Sequence, residues 1–331
     1  KYKGKEKYIA AIVAAAIVAL PVLSFNSQAA EVTDPNIIYQ NTKKQTVTKG
    51  VTIENIVKFT KNGWYNINVM TVDLSNKYIS VDSLTNTESI GKLATTKKLA
   101  TQRNAVAAVN ASFFTPDGGG YGHPLGTVVQ SSDILCASSD FNRYSDAIAS
   151  FSIDKLNNAI INYWKVNMNL ITRDGEKIPV AQYNKYNNSK FKDITVFDRK
   201  WGTKAVGATE DIPDLFQMVV ENGVVTKFLS GQPAAEIPEN GYVVVTREEG
   251  AKTLRKAFSI GNEVTFSIET TPSWTDLKMS VSGSSVLVQN GKIPATFSYA
   301  PSDVVAKSPK TAIGASKDGK TLYFVTVDGR Q

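Results

Sequence analysis

The chain has 331 residues, of which 42% are hydrophobic and 20% are charged, and its formal net charge is +7. This composition excludes global disorder and is sufficient for one large domain or two ordinary ones. Residues 1–30 carry four lysines against Glu6, so the rest of the chain has a net charge of only +7 − 3 = +4. No block of five or more basic residues follows, and we therefore expect no nucleic-acid partner.

The first 30 residues have the pattern of a signal peptide. A basic start, KYKGKEKY, precedes the apolar stretch from Ile9 to Leu23, which is short for a membrane span. Small residues then predict cleavage after Ala29 or Ala30, and the alternative is an uncleaved N-terminal anchor. No second hydrophobic span follows, so we expect a secreted, extracellular protein that can associate with the cell wall. We expect no stable membrane insertion after cleavage.

The next elements are predicted mainly as strands. Residues 31–49 are polar and weakly periodic, which indicates a linker or a loose N-terminal segment such as a loosely held first strand. Apolar and polar residues alternate in VTIENIVKFT and WYNINVMTVDL, and the KNG between them predicts a hairpin. KYISVDSLT predicts a third strand. Residues 91–104 have a weak helical stripe, and AVAAVN (105–110) has the continuous apolar pattern of a strand covered on both faces.

The remaining pattern continues with strands to the end of the chain. AIINYWKVNMNLIT and TLYFVTV are strand-like, FQMVVENGVVTKFL predicts a hairpin, and residues 182–193 are predicted to form an exposed loop. The absence of a fixed-period repeat disfavours a solenoid or propeller. We predict an α+β fold: a strand-dominated single large domain with mixed or antiparallel sheets and a few packing helices. Its expected boundaries are residues 50–331.

The sequence indicates neither a metal site nor a cofactor. Cys136 is the only cysteine, so no intrachain disulfide can form, and a catalytic thiol would need a base in a chain with one histidine. The glycine-rich loop DGGGYGHPLG (117–126) fits neither the P-loop nor the dinucleotide fingerprint. One histidine without a His/Asp cluster also makes a metal-dependent phosphodiesterase a weak alternative.

An ordered set of motifs carries a family resemblance. The motifs are WYNINVMTVDL, AVAAVNASFF, PENGYVVVT, VSGSSVLVQNGK and PKTAIGASKDGKTLYFVTVDGRQ. In this order they resemble the phosphodiester glycosidase family, the catalytic domain of N-acetylglucosamine-1-phosphodiester alpha-N-acetylglucosaminidase (the uncovering enzyme). The resemblance spans nearly all of residues 50–331. It implies an exported hydrolase that cleaves a sugar-1-phosphodiester bond, with an N-acetylglucosamine-type sugar on a cell-wall or capsular phosphoglycan. The alternative is a non-catalytic cell-wall or glycan-binding module on the same scaffold.

Two residues at the end of the strand TLYFVTV are the candidates for catalysis. Cleavage through an oxocarbenium-like transition state needs a carboxylate that stabilises the cationic carbon or activates water. Asp328 can supply it, and Arg330 can hold phosphate oxygens in a bidentate fork. The alternative is that Asp328-Gly329 is only a turn.

Four further residues are candidates for substrate binding. Asn110 can donate and accept hydrogen bonds, although an asparagine at a strand end can also serve the backbone alone. His123 and Gly126 lie in the loop DGGGYGHPLG, whose five glycines allow backbone amides to approach an anion. His123 is either a proton or hydrogen-bond donor to phosphate or a solvent-exposed loop residue. Thr311 lies in KTAIG, another segment of the resemblance.

The chain departs from the family pattern at two places. Lys310 stands where the family usually has arginine, which keeps the charge but loses the planar fork. The family pattern also continues past Asp-Gly-Arg with a helix and an Asp-Gly-Gly-Gly-Ser segment, whereas this sequence stops at Gln331. We therefore expect a C-terminally incomplete domain. We also expect Asn110 and the glycine-rich loop to face Asp328 and Arg330 across a pocket. Oligomeric state is not readable from the sequence.

Overall fold

The computed structural model of the chain describes residues 36–116, 122–139, 148–186, 190–297 and 308–328. Within these ranges there are nineteen strands, two α-helices and a 3-10 helix at Trp274–Asp276. The helices are α1 (Thr96–Gln102) and α2 (Glu248–Ala257). The strands are β1 (Ile37–Thr48), β2 (Val51–Thr60), β3 (Gly63–Asp73), β4 (Phe114–Pro116), β5 (Gly122–Pro124), β6 (Val128–Gln130), β7 (Asp133–Ser138), β8 (Ile148–Asp154), β9 (Ala159–Thr172), β10 (Lys177–Pro179), β11 (Gln182–Tyr183), β12 (Thr195–Phe197), β13 (Phe216–Glu221), β14 (Val224–Ser230), β15 (Gly241–Thr246), β16 (Val264–Thr271), β17 (Leu277–Ser282), β18 (Lys310–Ala315) and β19 (Thr321–Val327).

The described chain divides into two compact units. Unit 1 takes its described residues from 36–79, 95–110 and 308–328, and unit 2 takes them from 80–94 and 111–297. Each unit has its own principal sheet, of five strands in unit 1 and twelve in unit 2. The prediction of a strand-dominated fold is therefore confirmed. The α+β label and the single domain are met only in part, because the described residues hold two α-helices and two compact units.

The sheet of unit 1 is antiparallel, with the strand order β1-β2-β3-β19-β18. The predicted hairpin between VTIENIVKFT and WYNINVMTVDL is confirmed as β2 and β3, because alternation and a turn sequence act locally. β1 forms over residues 37–48, within the segment predicted as a linker or loose N-terminal segment, and lies at the sheet edge. Residues 1–30, where a signal peptide is predicted, are outside the described ranges.

One face of this sheet changes from apolar to polar along its strands. Val51, Val72 and Leu322 lie opposite one another across β2, β3 and β19, and all three are buried. Residues that lie two positions apart on a strand project from the same face of the sheet, which identifies the other side chains of this face. Farther along the strands the same face carries Asn55, Asn66 and Asn68. This polar section is more open to solvent than the buried apolar end.

Two of the strand predictions were wrong, and one predicted helix is shorter than expected. KYISVDSLT forms no strand, and AVAAVN is neither a strand nor buried, since Val106 is 73% exposed. Because alanine side chains have little apolar area, burying this run would contribute little hydrophobic free energy. The helix predicted over 91–104 is confined to α1, because the Thr95 side chain accepts from Lys98 N at 3.2 Å and so caps the helix there.

Unit 2 is built on the strand order β10-β9-β8-β17-β6-β7-β11-β12-β15-β13-β14, with β16 paired to β9. Its pairings are antiparallel except for β11 with β12, which confirms the prediction of mixed sheets. The FQMVVENGVVTKFL hairpin is confirmed as β13 and β14. Residues 182–193 were predicted as an exposed loop, but Asn184, Lys185 and Phe191 are buried. No helix in the part of the chain that the structure describes has the length and apolarity of a membrane span.

Candidate functional site

The strand register of unit 1 aligns four polar side chains across its sheet. Thr311 on β18 lies opposite Thr326, which lies opposite Asn68, which lies opposite Asn55. Asn55 Nδ2 donates to Asn68 Oδ1 at 2.5 Å, and Asn68 Nδ2 donates to Thr326 Oγ1 at 3.1 Å. Directly opposed residues share one face. We call these four residues the polar row.

Asp328 lies on the same face, immediately after β19. Its backbone N donates to Asn66 O at 3.0 Å, which continues the β3–β19 ladder by one residue. Asn66 Nδ2 also donates to Asp328 Oδ2 at 3.1 Å. The carboxylate is exposed and is oriented by this amide, so one oxygen is held while the group remains open to a ligand.

The Asn110 side chain contacts the polar row at Thr311, the end of the row on β18. Thr311 Oγ1 donates to Asn110 Oδ1 at 2.7 Å, although the two residues are 201 positions apart in sequence. Three of the predicted site residues, Asn110, Thr311 and Asp328, therefore lie in unit 1 beside the same sheet face. Arg330, the other residue predicted to be catalytic, is outside the described residues.

Lys310 has a different environment from its neighbour Thr311. Successive residues of a strand project to opposite faces, so Lys310 lies on the face opposite to Thr311. Its Nζ donates to Ser308 Oγ at 2.7 Å. Lys310, where the resemblance leads us to expect an arginine, thus does not lie on the face that carries Thr311 and Thr326.

Gly126 and His123 belong to unit 2. His123 is in β5 and is only 3% exposed, so the alternative of a solvent-exposed loop histidine is wrong. Gly126 has φ +79°, a backbone conformation that favours glycine, and its carbonyl accepts a hydrogen bond from the buried Lys185 Nζ. Residues 117–121 of the glycine-rich loop are outside the described ranges.

Cys136 also approaches the Gly126 carbonyl, with its Sγ at 3.9 Å from the oxygen. The thiol is fully buried, and burial raises its pKa, although the nearby Lys185 charge acts in the opposite direction. A buried thiol with a raised pKa is a poor nucleophile. This agrees with the sequence-based argument against a catalytic cysteine.

Sequence reasoning missed Asn66, Asn68 and Asn55 as neighbours of the candidate site. Their signal was present in WYNINVMTVDL, where Asn66 and Asn68 are two residues apart and so share a strand face. Only the β3–β19 register places that face beside Asp328, which is 262 residues from Asn66. The sequence could predict that this face of β3 is polar, but it could not predict that the face lies beside Asp328.

The described residues near Asp328 can bind oxygen-rich ligands but supply no metal centre. The asparagine amides and threonine hydroxyls both donate and accept hydrogen bonds, and the carboxylate accepts them. Among the residues that the structure describes, no group of three or more His, Cys, Asp or Glu side chains could hold a metal ion. A cavity of about 400 Å³ in unit 2 is lined by Tyr183, Tyr242, Phe266, Trp274 and others, and none of the predicted site residues lines it.

Comparison with protein families matches residues 215–331 to the family described as phosphodiester glycosidase. The match covers β13 to β19 and includes Thr311, Asp328 and Arg330. It confirms the resemblance for the C-terminal third of the chain. No curated protein matches the chain.

Two solved structures have similar folds. One is described as a hypothetical protein from Synechocystis, with a TM-score of 0.71 and 17% identity over 87% of this chain. The chain spans about half of that protein, since the alignment covers 52% of it. The other is described as a "putative exported protein" from Burkholderia pseudomallei K96243, with a TM-score of 0.72 and 16% identity. That alignment covers 94% of this chain and 88% of the other. At these identities the similarity concerns the fold.

Proposed function

We propose, from the match of residues 215–331 to the phosphodiester glycosidase family, that the protein is an exported glycosidase that hydrolyses a sugar-1-phosphodiester bond. The substrate is an N-acetylglucosamine-type sugar on a cell-wall or capsular phosphoglycan. The signal-peptide pattern and the similarity to a protein described as exported support export. The observation that carries the proposal is the Asp328 carboxylate held by Asn66 beside Asn110 and Thr311.

In this proposal Asp328 acts on the anomeric carbon. Its carboxylate stabilises the positive charge that develops there or takes a proton from the attacking water. Asn66 is a positioning residue, since its Nδ2 donates to Asp328 Oδ2 and limits rotation of the carboxylate. One oxygen of Asp328 then stays directed at the ligand.

Asn110 and Thr311 bind the substrate in this proposal. The Thr311 hydroxyl orients the Asn110 amide by donating to its Oδ1, which leaves the amide nitrogen to act as a donor to sugar or phosphate oxygen. Arg330 would hold the departing phosphate in a bidentate fork.

The assay is release of free N-acetylglucosamine from an N-acetylglucosamine-1-phosphodiester by the purified protein. Asp328→Asn should lower kcat by at least about 100-fold, the usual contribution of an acid–base group, without loss of fold. Asp318→Asn is the matched control, because Asp318 is an exposed carboxylate in the turn at the far end of the β18–β19 hairpin. Equal activity of Asp328→Asn and the unaltered protein would remove Asp328 from catalysis.

A non-catalytic glycan-binding module is the second candidate. It is favoured by the position of Lys310, which lies on the opposite strand face from Thr311 and is engaged with Ser308. That segment therefore brings no cation to the face of Asp328. Two results together would support the binding module. The unaltered protein and Asp328→Asn would both bind glycan, and neither would release sugar from any sugar phosphodiester.

A further inference from the structure

Three aromatic side chains lie on the same sheet face as Asp328. Tyr39 on β1 is opposite Phe59 on β2, and Phe59 is opposite Trp64 on β3. Directly opposed residues share a face, so the three rings form one line across three strands. We call them the aromatic row.

The rings of the aromatic row contact one another and remain accessible. Phe59 and Trp64 are stacked, with centroids 4.7 Å apart and an interplanar angle of 28°, and Tyr39 meets Trp64 edge-on at 6.1 Å. Trp64 is 47% exposed and Tyr39 is 49% exposed. Cross-strand aromatic pairs stabilise hairpins, but that role does not need rings that are half open to solvent. A flat apolar surface is therefore presented beside a polar one.

The strand register connects this surface to the candidate site. Asn66, which binds Asp328, lies two residues after Trp64 on β3 and so on the same face. Trp64 is thus the diagonal cross-strand neighbour of Asp328, and such neighbours are about 7–8 Å apart. On the other side of Asn66 lies Asn68, a member of the polar row. Asp328 therefore lies between an aromatic surface and a row of amides and hydroxyls.

We infer that the aromatic row is a second sugar subsite, in which a pyranose ring of the glycan stacks on Trp64 while the scissile unit lies at Asp328. A pyranose has an apolar C–H face, which suits a flat aromatic ring, and a rim of hydroxyls, which suits amide side chains. As a diagonal cross-strand neighbour about 7–8 Å away, Trp64 is within reach of a sugar linked to the scissile unit at Asp328. The preferred substrate is accordingly an oligomeric glycan and not a lone sugar phosphodiester. This inference rests on the proposed function for its choice of ligand.

Binding to the full chain carrying Asp328→Asn tests the subsite separately from hydrolysis. The probes are N-acetylglucosamine and its linear tetramer, with calorimetry as the readout. We expect the tetramer to bind at least about tenfold more tightly than the monomer, a factor that corresponds to about 1.4 kcal/mol. Trp64→Leu should remove this difference, because leucine is apolar and can still contact Phe59 but has no flat face. Trp64→Phe should largely retain it.

The matched control is Tyr78→Leu, which removes an aromatic side chain of unit 1 that is 84% exposed and is not in the sheet. It should leave both affinities unchanged. Each variant is also checked by thermal unfolding, so that a loss of hairpin stability is not counted as a loss of binding. Equal affinity for tetramer and monomer, no binding of either, or an unchanged preference in Trp64→Leu would each overturn the inference. Tetramer binding, together with no sugar release from an N-acetylglucosamine-1-phosphodiester by the unaltered protein, would instead reject the proposed function alone.

Discussion

Two tyrosines that line the cavity of unit 2 should respond in opposite ways to loss of their hydroxyl groups. Tyr183 Oη donates to Asp198 Oδ2 at 2.6 Å and accepts from Lys200 Nζ at 3.3 Å. The Tyr242 hydroxyl is also buried, but it has no hydrogen-bond partner among the described residues. Comparing the two variants therefore distinguishes the stabilisation by a hydrogen-bonded buried hydroxyl from the destabilisation by an unsatisfied one.

The magnitudes follow from these contacts. A hydrogen bond to a charged group contributes about 1.5–3 kcal/mol, so Tyr183→Phe should lower the free energy of unfolding by about that amount. Asp198 would keep its bonds from Asn184 Nδ2 and Lys200 N, which limits the loss. An unsatisfied buried hydroxyl costs about 1–3 kcal/mol, and the small void left by its removal offsets part of this gain. Tyr242→Phe should therefore be neutral or stabilising by up to about 2 kcal/mol.

Chemical denaturation of the full chain, followed by tryptophan fluorescence and far-ultraviolet circular dichroism, measures both variants. The midpoint should fall for Tyr183→Phe and stay or rise for Tyr242→Phe, with the denaturant slope unchanged. In thermal unfolding the shift should be roughly 2–4 °C per kcal/mol for a domain of 150–250 residues. A loss of more than about 1 kcal/mol in Tyr242→Phe would refute this reasoning about its unsatisfied hydroxyl.

The same pair predicts how stability changes at alkaline pH. Burial, and then the neighbouring Asp198 carboxylate, raise the pKa of Tyr183 well above its usual value, and burial raises the pKa of Tyr242. A pKa raised by folding means that the folded state keeps its proton while the unfolded state loses it. Their contribution to stability is therefore complete below the usual tyrosine pKa of about 10 and is lost as pH rises above it. Each phenylalanine variant should lose less stability than the unaltered protein between about pH 10 and 11.

Two further predictions concern the motifs. A Cβ on Gly241, in the motif PENGYVVVT, would lie 2.1 Å from the Val220 carbonyl oxygen, whereas a Cβ on Gly283 would meet nothing within 4 Å. Gly241→Ala should therefore cost at least about 2 kcal/mol in denaturation and Gly283→Ala less than about 0.5 kcal/mol, and equal effects would contradict the clash. Thr311→Val removes the donor to Asn110 Oδ1 and should lower kcat/KM for sugar release about tenfold, whereas Thr311→Ser should retain most activity. An unchanged kcat/KM in Thr311→Val would show that this hydrogen bond does not contribute to substrate binding.

Local patterns in the sequence determined the strand-dominated class and the pairings between strands that follow one another in the chain. The β2–β3 and β13–β14 hairpins follow from alternation on both sides of a short turn, which needs no information from the rest of the chain. The ordered motifs also indicated the family that matches residues 215–331. Patterns without a local turn were less reliable, as the apolar run 105–110 demonstrates.

Long-range register decided the surroundings of the candidate site. Asn66 meets Asp328 because β3 pairs with β19 in one particular alignment, and a shift of one residue would turn that polar face to the other side of the sheet. The same alignment places Trp64 diagonally next to Asp328. The sequence alone determined which residues share a strand face. Only the tertiary structure decided which faces meet, because pairing between distant strands depends on contacts that no local segment contains.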